Sequence, residues 1–374
     1  MLGHPERRFP VIHVGGSNGK GSTCGLIAAT LAARGFRVGL YTSPHLVSVR
    51  ERIVVDGVPI DADAFAEWTT SLKPHIERCD ASFFEATTAI AFADLAARGV
   101  DVGVIEVGLG GRLDATNVIT PLVSVVTKIA REHTEYLGDD LASIAREKAG
   151  IAKPGVPFVT GERDPAVRDV LVGEAKRAGA SPVTAVDTAR AAGGPLGLLG
   201  THQQANAWVA LAALDALPPP LGSPSRGVWP ASFADAYVPG RFEVRGRWIF
   251  DVAHNPDGAR VLTDTLRQVA PPRPRHALVG VLGDKDYVGM IAILAEEIDR
   301  FVFATPGSAP PPRRWSLERL ETELAGAHIA AVFEPDFDRA LERVQEQAET
   351  IVVTGSFHTV GDVFARLPGF AAVG

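Results

Sequence analysis

Short apolar runs alternate with longer proline-free stretches along the first 160 residues of the chain. The apolar runs are rich in Val and Ile, as buried strands are, and the longer stretches stop at a glycine, as helices do. We predict strands at Val11–Val14, Val38–Tyr41, Val102–Val107, Leu122–Ile129 and Pro157–Thr160, and helices at Ser22–Arg34, Glu85–Arg98 and Leu141–Ala149. This alternation is typical of an α/β fold, in which helices cover both faces of a parallel sheet.

The same alternation restarts near Trp248, after a less regular middle region. Residues 178–200 are weakly patterned, and a predicted helix at Gln203–Leu217 is followed by a proline-rich stretch. Beyond it we predict strands at Trp248–Val252, Ala277–Leu282, Phe301–Ala304, Ile329–Phe333 and Ile351–Thr354, and helices at Gly258–Val269, Met290–Ile298 and Phe337–Gln347. We therefore expect two domains, residues 1–238 and a smaller one of residues 239–374.

The composition is that of a globular protein. Of the 374 residues, 46% are hydrophobic and 22% are charged, which excludes a disordered or fibrous chain. The 37 basic and 44 acidic residues give a net charge of −7. We expect no nucleic-acid partner, because phosphate backbones favour positively charged surfaces. The net charge does not exclude a local basic pocket that binds an anionic small molecule.

The cysteines and the absence of targeting segments indicate the compartment. Cys24 and Cys79 lie far apart and in no CxxC pair, which argues against a structural zinc site or a disulfide framework. The first residues lack the apolar core of a signal peptide, and no uncharged apolar run is long enough to cross a membrane. We predict a cytoplasmic protein with no membrane partner.

A glycine-rich segment, Gly15–Thr23, lies between the first predicted strand and the first predicted helix. Glycines let successive N–H groups point at a phosphate, and the helix N-terminus adds partial positive charge. Lys20 would meet the phosphates, and Ser22 or Thr23 offers a hydroxyl. The segment departs from the general pattern GxxxxGK[ST], with Val14 at its start and Gly21 after the lysine. An ordinary glycine-rich turn is the alternative, but strand, turn, lysine and helix together favour phosphate binding.

Three polar residues follow other predicted strands: Ser43, Glu106 and His133. Parallel sheets bind ligands beyond the carboxyl ends of their strands, so these side chains are expected to converge near Lys20. A hydroxyl, a carboxylate and an imidazole can all serve a Mg²⁺ ion held against nucleotide phosphates. Taken singly, the glutamate could be a salt-bridge partner and the histidine a surface residue.

For other charged residues, the sequence allows both a structural and a functional interpretation. The residue pattern alone favours a solvated surface position for Lys148. Asp251, which ends a predicted strand, is either part of a turn that caps the next helix or an acceptor for a ribose hydroxyl. Arg241 would be a phosphate clamp or a partner in an interdomain salt bridge.

Together these motifs resemble those of the folylpolyglutamate and dihydrofolate synthases, which are Mur-type ATP-dependent amide ligases. The glycine after the lysine of the phosphate loop is a hallmark of this folate branch. The resemblance runs from residue 11 to about residue 362 and is carried by Gly16–Ser22, Tyr41–Leu46, Glu51–Ile53, Glu106–Asn117, Glu147–Ile151, Pro239–Phe242, Asp251–Pro256 and Gly355–Val360. The last of these motifs is similar to that of bifunctional bacterial members.

The resemblance implies a fold and a reaction. The fold would be a P-loop parallel-sheet ATPase domain followed by a smaller Rossmann-like domain, with MgATP bound between them. The enzyme would phosphorylate a carboxylate of dihydropteroate or a folate, and the amine of L-glutamate would attack the acyl phosphate to give an amide, ADP and phosphate. Two Mg²⁺ ions are implied, with K⁺ as a candidate further ion, and the protein is expected to be a monomer.

Residue roles carry over position by position. The resemblance implies catalytic roles for Lys20, Lys148 and His133; ATP contacts for Ser17, Asn18, Gly19, Lys20, Gly21, Ser22, Asn206, Arg241 and Asp251; metal contacts for Ser43, Glu106, His133 and a carboxylated Lys148; and acceptor contacts for Phe83, Phe84, Glu85, Arg112 and Leu113. The role of Lys148 rests on the resemblance alone, and it replaces the solvated surface position that the residue pattern favours.

The chain also departs from the family pattern. Ser17 replaces a Thr, Glu132 an Asp and Asp257 a His, and only about ten residues precede the first predicted strand, where family members carry a helical segment of the pterin pocket. The pocket is therefore expected to be incomplete or built differently, unless the start of the chain is assigned late. Alternatives are a peptidoglycan-type ligase, which Gly21 opposes, a non-catalytic nucleotide-binding relative and a P-loop kinase.

Overall fold

The computed structural model describes residues 2–222, 225, 227–326 and 329–370. The chain forms two compact units. The first comprises Met1–Pro44, Val49–Gly197 and Gln203–Tyr237, and the second comprises His45–Ser48, Leu198–His202 and Val238–Gly374. Two short segments within residues 1–238 thus group with the second unit, so the units do not correspond to a single division of the chain at residue 238.

The sheet of the first unit has eight strands in the described part of the chain. They are β1 (Val11–Gly15), β2 (Val38–Tyr41), β3 (Ile53–Val55), β4 (Val58–Pro59), β5 (Val102–Glu106), β6 (Val123–Val126), β7 (Phe158–Thr160) and β8 (Val183–Ala185), in the order β4-β3-β2-β5-β1-β6-β7-β8. Only the pairs of β3 with its two neighbours are antiparallel. The predicted α/β fold with a parallel sheet is confirmed.

Strand β1 lies in the middle of this sheet, and all five of its residues are buried. A parallel strand covered on both faces reads as a continuous apolar run, which explains why the sequence pattern predicts it well. In register, Val14 lies beside Glu106 and Gly15 beside Val126. The carboxyl ends of β1, β5 and β6 therefore reach the same edge of the sheet.

Seven helices of the described residues accompany this sheet: α1 (Lys20–Ala33), α2 (Ala62–Cys79), α3 (Phe83–Ala97), α4 (Thr134–Leu137), α5 (Leu141–Ala149), α6 (Pro165–Arg177) and α7 (Thr201–Asp215). Helix α2 is absent from the sequence prediction because it buries only Leu72 fully and contains Pro74. Helix α6 and strand β8 are also new, and β8 lies at the sheet edge with no buried residue, so it lacks an apolar run.

The second unit has its own sheet, in the order β13-β12-β11-β14-β10-β9. Its elements are β9 (Glu243–Arg245), β10 (Trp248–Phe250), α8 (Pro256–Val269), β11 (Arg275–Val279), α9 (Tyr287–Leu294), β12 (Arg300–Phe303), α10 (Leu317–Glu323), β13 (Ala331–Phe333), α11 (Phe337–Gln345), β14 (Thr350–Thr354) and α12 (Phe357–Arg366). Only the β9–β10 pair is antiparallel. Among the described residues, no helix is both long and apolar enough to span a bilayer.

A buried histidine ties the central strand to the loop after β5. His13 in β1 is fully buried, and its Nε2 lies 2.8 Å from the Thr116 hydroxyl oxygen. That hydroxyl donates its single hydrogen to Asp114, so Nε2 of His13 must be the donor. The Asp114 carboxylate also accepts the backbone N–H groups of Gly108 and Leu109, which holds the loop in place.

Burial, and secondarily the charge of Lys153, lowers the pKa of His13 to about 3. A base whose pKa is lower in the folded state stabilises the fold above its unfolded pKa, and this contribution is lost as the pH falls from about 6.5 towards 3. We expect His13→Gln, which keeps an N–H donor, to reduce the acid sensitivity by up to about 1.4 kcal/mol per pH unit. Denaturant unfolding between pH 7 and 4 measures this, and equal slopes for the two proteins would contradict it.

Candidate active site

The glycine-rich loop between β1 and α1 is closed against the loop that follows β6. The backbone N–H groups of Ser17 and Asn18 donate to the Lys128 carbonyl, at 2.8 and 3.3 Å. The Ser17 hydroxyl donates to the Ala130 carbonyl. These two N–H groups are therefore occupied within the protein. The N–H groups best placed for a phosphate are those of the first turn of α1.

Helix α1 begins in a way that suits an anion. Its N-cap residue is Gly19, and among the described residues no side chain caps this end of the helix. Lys20, Gly21 and Ser22 form the first turn. The helix dipole places partial positive charge at this end. The first-turn N–H groups, the Lys20 ammonium and the Ser22 hydroxyl form a donor set that fits nucleotide phosphates.

Two lysines donate to one carbonyl oxygen of the loop. Nζ of Lys20 lies 3.0 Å from the Gly16 oxygen, and Nζ of Lys148 in α5 lies 2.9 Å from the same oxygen. Lys148 is only 2% exposed, so the surface position favoured by the sequence pattern is wrong. Its ammonium also forms an ion pair with Glu132, 2.8 Å away. The fold thus concentrates two positive charges and one negative charge at the phosphate loop.

Burial and mutual attraction set the charges of this cluster. Burial, opposed by Glu132 and assisted by Lys20, lowers the pKa of Lys148 to about 8. Burial alone would raise the pKa of Glu132, but Lys148 and then Lys20 outweigh it and bring that pKa to about 2. Glu132 is therefore a carboxylate at neutral pH, while Lys148 loses its proton more readily than an exposed lysine.

The ends of β2 and β5 meet at a carboxylate. Glu106, the buried last residue of β5, accepts the backbone N–H of Ser43 at 3.0 Å. Cys24, early in α1, lies within reach of both Glu106 and Lys20: burial and then Glu106 raise its pKa, and Lys20 lowers it. The structure therefore brings Ser43 and Glu106 together on the side of the sheet that carries the phosphate loop.

The residues that could hold a cation are few. Among the described residues, no group of three or more His, Cys, Asp or Glu side chains is placed to ligate a metal ion. Mg²⁺ does not need such a cage, because it retains waters and commonly binds one or two carboxylates together with substrate phosphates. Glu106 and the Ser43 hydroxyl fit that pattern. His133 lies after β6 with a φ of 48°, and its carbonyl accepts two N–H groups of α4.

The five residues predicted to contact the acceptor differ in how available they are. Phe83 is 60% exposed, with the Arg52 guanidinium 5.3 Å from its ring centroid. Phe84 is half-buried against Gly108 and Tyr41, and Glu85 forms the capping box of α3 with Ser82.

Arg112 and Leu113 complete this set. Arg112 forms a bidentate ion pair with Glu147, and Leu113 is 79% exposed. Phe83 and Leu113 are therefore the two predicted acceptor contacts whose side chains present most apolar surface.

Asn206 is held beside the phosphate loop by a residue that the sequence analysis did not single out. Its Nδ2 donates to Oε1 of the buried Gln203 at 2.8 Å. A Cβ atom built on Gly19 would lie 2.3 Å from Asn206 Oδ1, so the two residues touch. The i, i+3 spacing of Gln203 and Asn206 on one helix is the pattern that could have indicated the pair.

In the second unit, Asp251 holds a turn in place. Its two carboxylate oxygens accept the N–H groups of Phe242 and Ala253, each at 2.9 Å. Burial raises the pKa of Asp251 to about 6, although Arg241 opposes this shift. The cap of the following helix α8 is Asn255. Of the two sequence-based roles for Asp251, the structure shows a turn, but one that fixes the residues around Arg241 and does not cap the helix.

Comparison with known proteins identifies the family. Residues 14–192 match the Mur ligase middle domain, and residues 240–357 match the glutamate ligase domain of Mur ligases. The dihydrofolate synthase/folylpolyglutamate synthase of Mycobacterium tuberculosis is 35% identical in an alignment 420 positions long. The alignment covers 98% of this chain and 84% of that protein. This chain belongs to the dihydrofolate synthase/folylpolyglutamate synthase family of Mur ligases.

Solved structures of the same family superpose on nearly the whole chain. Escherichia coli FolC in complex with DHPP and ADP matches with a TM-score of 0.84 and 35% identity, covering 98% of this chain and 90% of that one. The bifunctional folylpolyglutamate synthase/dihydrofolate synthase of Yersinia pestis, complexed with AMPPNP and a Mn ion, matches with a TM-score of 0.84, 34% identity and the same coverage. The two-domain Mur ligase architecture predicted from the sequence motifs is thereby confirmed.

A glycine substitution tests the phosphate loop of this family member. Gly16 has a φ of 132°, and an added Cβ would lie 1.9 Å from Oγ1 of Thr127. We expect Gly16→Ala to abolish nucleotide binding in a calorimetric titration with ADP and to cost about 1–3 kcal/mol of stability. Gly35→Ala is the matched control, because Gly35 also has a positive φ, 88°, but faces open space. Nucleotide binding by the Gly16 variant equal to that of the control would contradict this.

Proposed function

We propose that this chain is an ATP-dependent ligase that joins L-glutamate to dihydropteroate and to folates. The observation that carries the proposal is the convergence of Lys20 and Lys148 on the Gly16 carbonyl at the uncapped start of α1. A carboxylate and an amine do not condense at a useful rate in water, so the carboxylate must first acquire a leaving group. Phosphoryl transfer from ATP supplies one, and it needs positive charge where negative charge develops.

In the proposed reaction, a carboxylate oxygen of the acceptor bonds to the γ-phosphorus of ATP, and ADP leaves. The amine of L-glutamate then attacks the acyl carbon, the C–O bond to phosphate breaks, and the amine proton is lost. The products are an amide, ADP and phosphate. Lys20 and the first turn of α1 bind the phosphates, with Asn206, Arg241 and Asp251 as the further nucleotide residues.

A divalent cation, taken to be Mg²⁺, would be held by Glu106 and Ser43, with His133 and Lys148 contributing to a second site. Such ions neutralise the charge that develops on the transferred phosphoryl group. K⁺ stays a candidate further ion. The donor chemistry supports the first site, since a carboxylate and a hydroxyl are oxygen ligands that Mg²⁺ prefers.

We propose that Lys148 works as an N-carboxylated lysine. Carboxylation requires the neutral amine, and the lowered pKa of Lys148 makes that form more accessible near neutral pH. Glu132, which now pairs with the ammonium, would have to release it. Arg112, Leu113 and Phe83 are the proposed acceptor contacts, with Phe84 and Glu85 shaping the segment that presents them.

The compartment and partners belong to the same proposal. Cys24 and Cys79 are both free, which fits a reducing cytoplasm. The partners are small molecules, namely ATP, L-glutamate and the acceptor, and the working form is a monomer.

The test of the function is MgATP-dependent phosphate release with L-glutamate and dihydropteroate, tetrahydrofolate or no acceptor. We expect release with either acceptor and only when glutamate is present. Release with dihydropteroate alone would remove the polyglutamylating activity. Release without glutamate would indicate a kinase or an ATPase and would contradict the ligase proposal.

Replacement of the buried lysine tests its role. We expect Lys148→Met to lower kcat by at least about 100-fold, because the variant cannot be carboxylated and so loses a ligand of the proposed second Mg²⁺ site. Lys153→Met is the matched control, since Lys153 lies four residues after the end of α5 and its Nζ donates to the Asn117 carbonyl, away from the phosphate loop. Equal kcat values for the two variants in the phosphate-release assay would rule out the assigned role.

A further inference from the structure

Three segments of the second unit meet at the ring of Phe357. Phe357 is the first residue of α12 and follows the end of β14 after two residues. The guanidinium carbon of Arg241, in the turn before β9, lies 5.1 Å from the centroid of this ring. The imidazole of His254, after β10, lies on the same ring at a centroid distance of 6.0 Å and an angle of 47°.

The position of the Phe357 ring is set by the start of α12. The Ser356 hydroxyl accepts the Thr359 N–H and caps this helix. Gly355 before it has a φ of 104°, and a Cβ there would lie 2.7 Å from the Gly280 carbonyl oxygen, so the backbone is in close contact with its neighbour. The ring itself packs against the core cluster that contains Val360 and Phe364. Phe357 is therefore held in place by the helix cap and by its packing against the core.

The backbone around Arg241 is equally well held. Gly240 and Phe242 both have positive φ angles, 66° and 46°. The Gly240 N–H donates to Glu243, and the Phe242 N–H donates to Asp251. The arginine side chain extends from this fixed backbone to the face of the Phe357 ring.

An aromatic ring can restrain a guanidinium without accepting the hydrogen bonds that lie in the guanidinium plane. The attraction acts between the cation and the face of the ring, whereas the five N–H donors of a guanidinium lie in its own plane. A guanidinium held in this way can still bind a phosphate through two parallel hydrogen bonds. The contact with Phe357 therefore restrains the guanidinium without being one of its hydrogen bonds.

We propose that Phe357 is a positioning residue, whose ring holds the Arg241 guanidinium in the orientation that binds the nucleotide. The inference rests on the proposed nucleotide role of Arg241 and adds the residue through which that role is set. It predicts that loss of the ring weakens nucleotide binding while the chemistry of the bound complex is retained.

The first test is Phe357→Leu in the full chain. A cation–π contact corresponds to a change of about 2- to 30-fold in affinity. We expect the Kd for ADP and the KM for ATP to rise by that factor, with kcat changed less than twofold, and Phe357→Trp to bind as the wild type does. Phe333→Leu is the matched control, because Phe333 is also half-buried, in contact with another ring, Phe303 at 5.3 Å, but on strand β13. Thermal unfolding of both leucine variants separates loss of fold from loss of positioning.

A double-mutant cycle decides whether Phe357 acts through Arg241. We expect Arg241→Ala to weaken ADP binding and the double variant with Phe357→Leu to be no weaker than Arg241→Ala alone. Losses that multiply, or wild-type binding by Phe357→Leu, would overturn the positioning role and leave Arg241 as a nucleotide residue. Wild-type binding by Arg241→Ala would overturn both assignments. The ligase function itself is judged separately, by glutamate-dependent phosphate release.

Discussion

The carbonyl oxygen of Gly16 accepts hydrogen bonds from both Lys20 and Lys148, and this contact fixes where the two charges of the candidate site lie. Two ammonium groups on one oxygen repel each other, so the arrangement needs a nearby negative charge. Glu132 supplies it from the loop after β6. A bound nucleotide would bring further negative charge to the same place. The site is thus a concentration of positive charge that the fold maintains before any phosphate arrives.

The surrounding loops are held by hydrogen bonds from neighbouring strand ends. The Lys128 carbonyl takes the N–H groups of Ser17 and Asn18, and the Asp114 carboxylate takes those of Gly108 and Leu109. Both interactions join segments that are distant in sequence but adjacent at the carboxyl edge of one sheet. Pre-ordering of this kind lowers the cost of organising charge during the reaction.

In the second unit, too, residues near strand ends hold a functional segment in place, but with different chemical groups. There the aligned strand ends present Asp251 and Phe357, which restrain the backbone and the side chain of Arg241 respectively. Asp251 accepts two backbone N–H groups of the turn, and the Phe357 ring contacts the Arg241 guanidinium through its aromatic face. In both units, contacts within the fold restrain a cationic side chain that is proposed to bind the nucleotide.

Much of this protein follows from the order of its residues. The buried parallel strands such as β1 were predictable because strands covered on both faces are continuous apolar runs. The local structure of Gly15–Thr23, a turn that leads into a helix, was predictable because glycine residues and a helix start act locally. Helix α2 and strand β8 were not, since each keeps most of its residues at the surface. Only the tertiary structure decided that Lys148 is buried and paired with Glu132, and that Gln203 orients Asn206. Burial and pairing depend on which strand ends become neighbours in the sheet, and the local pattern of residues does not determine that order.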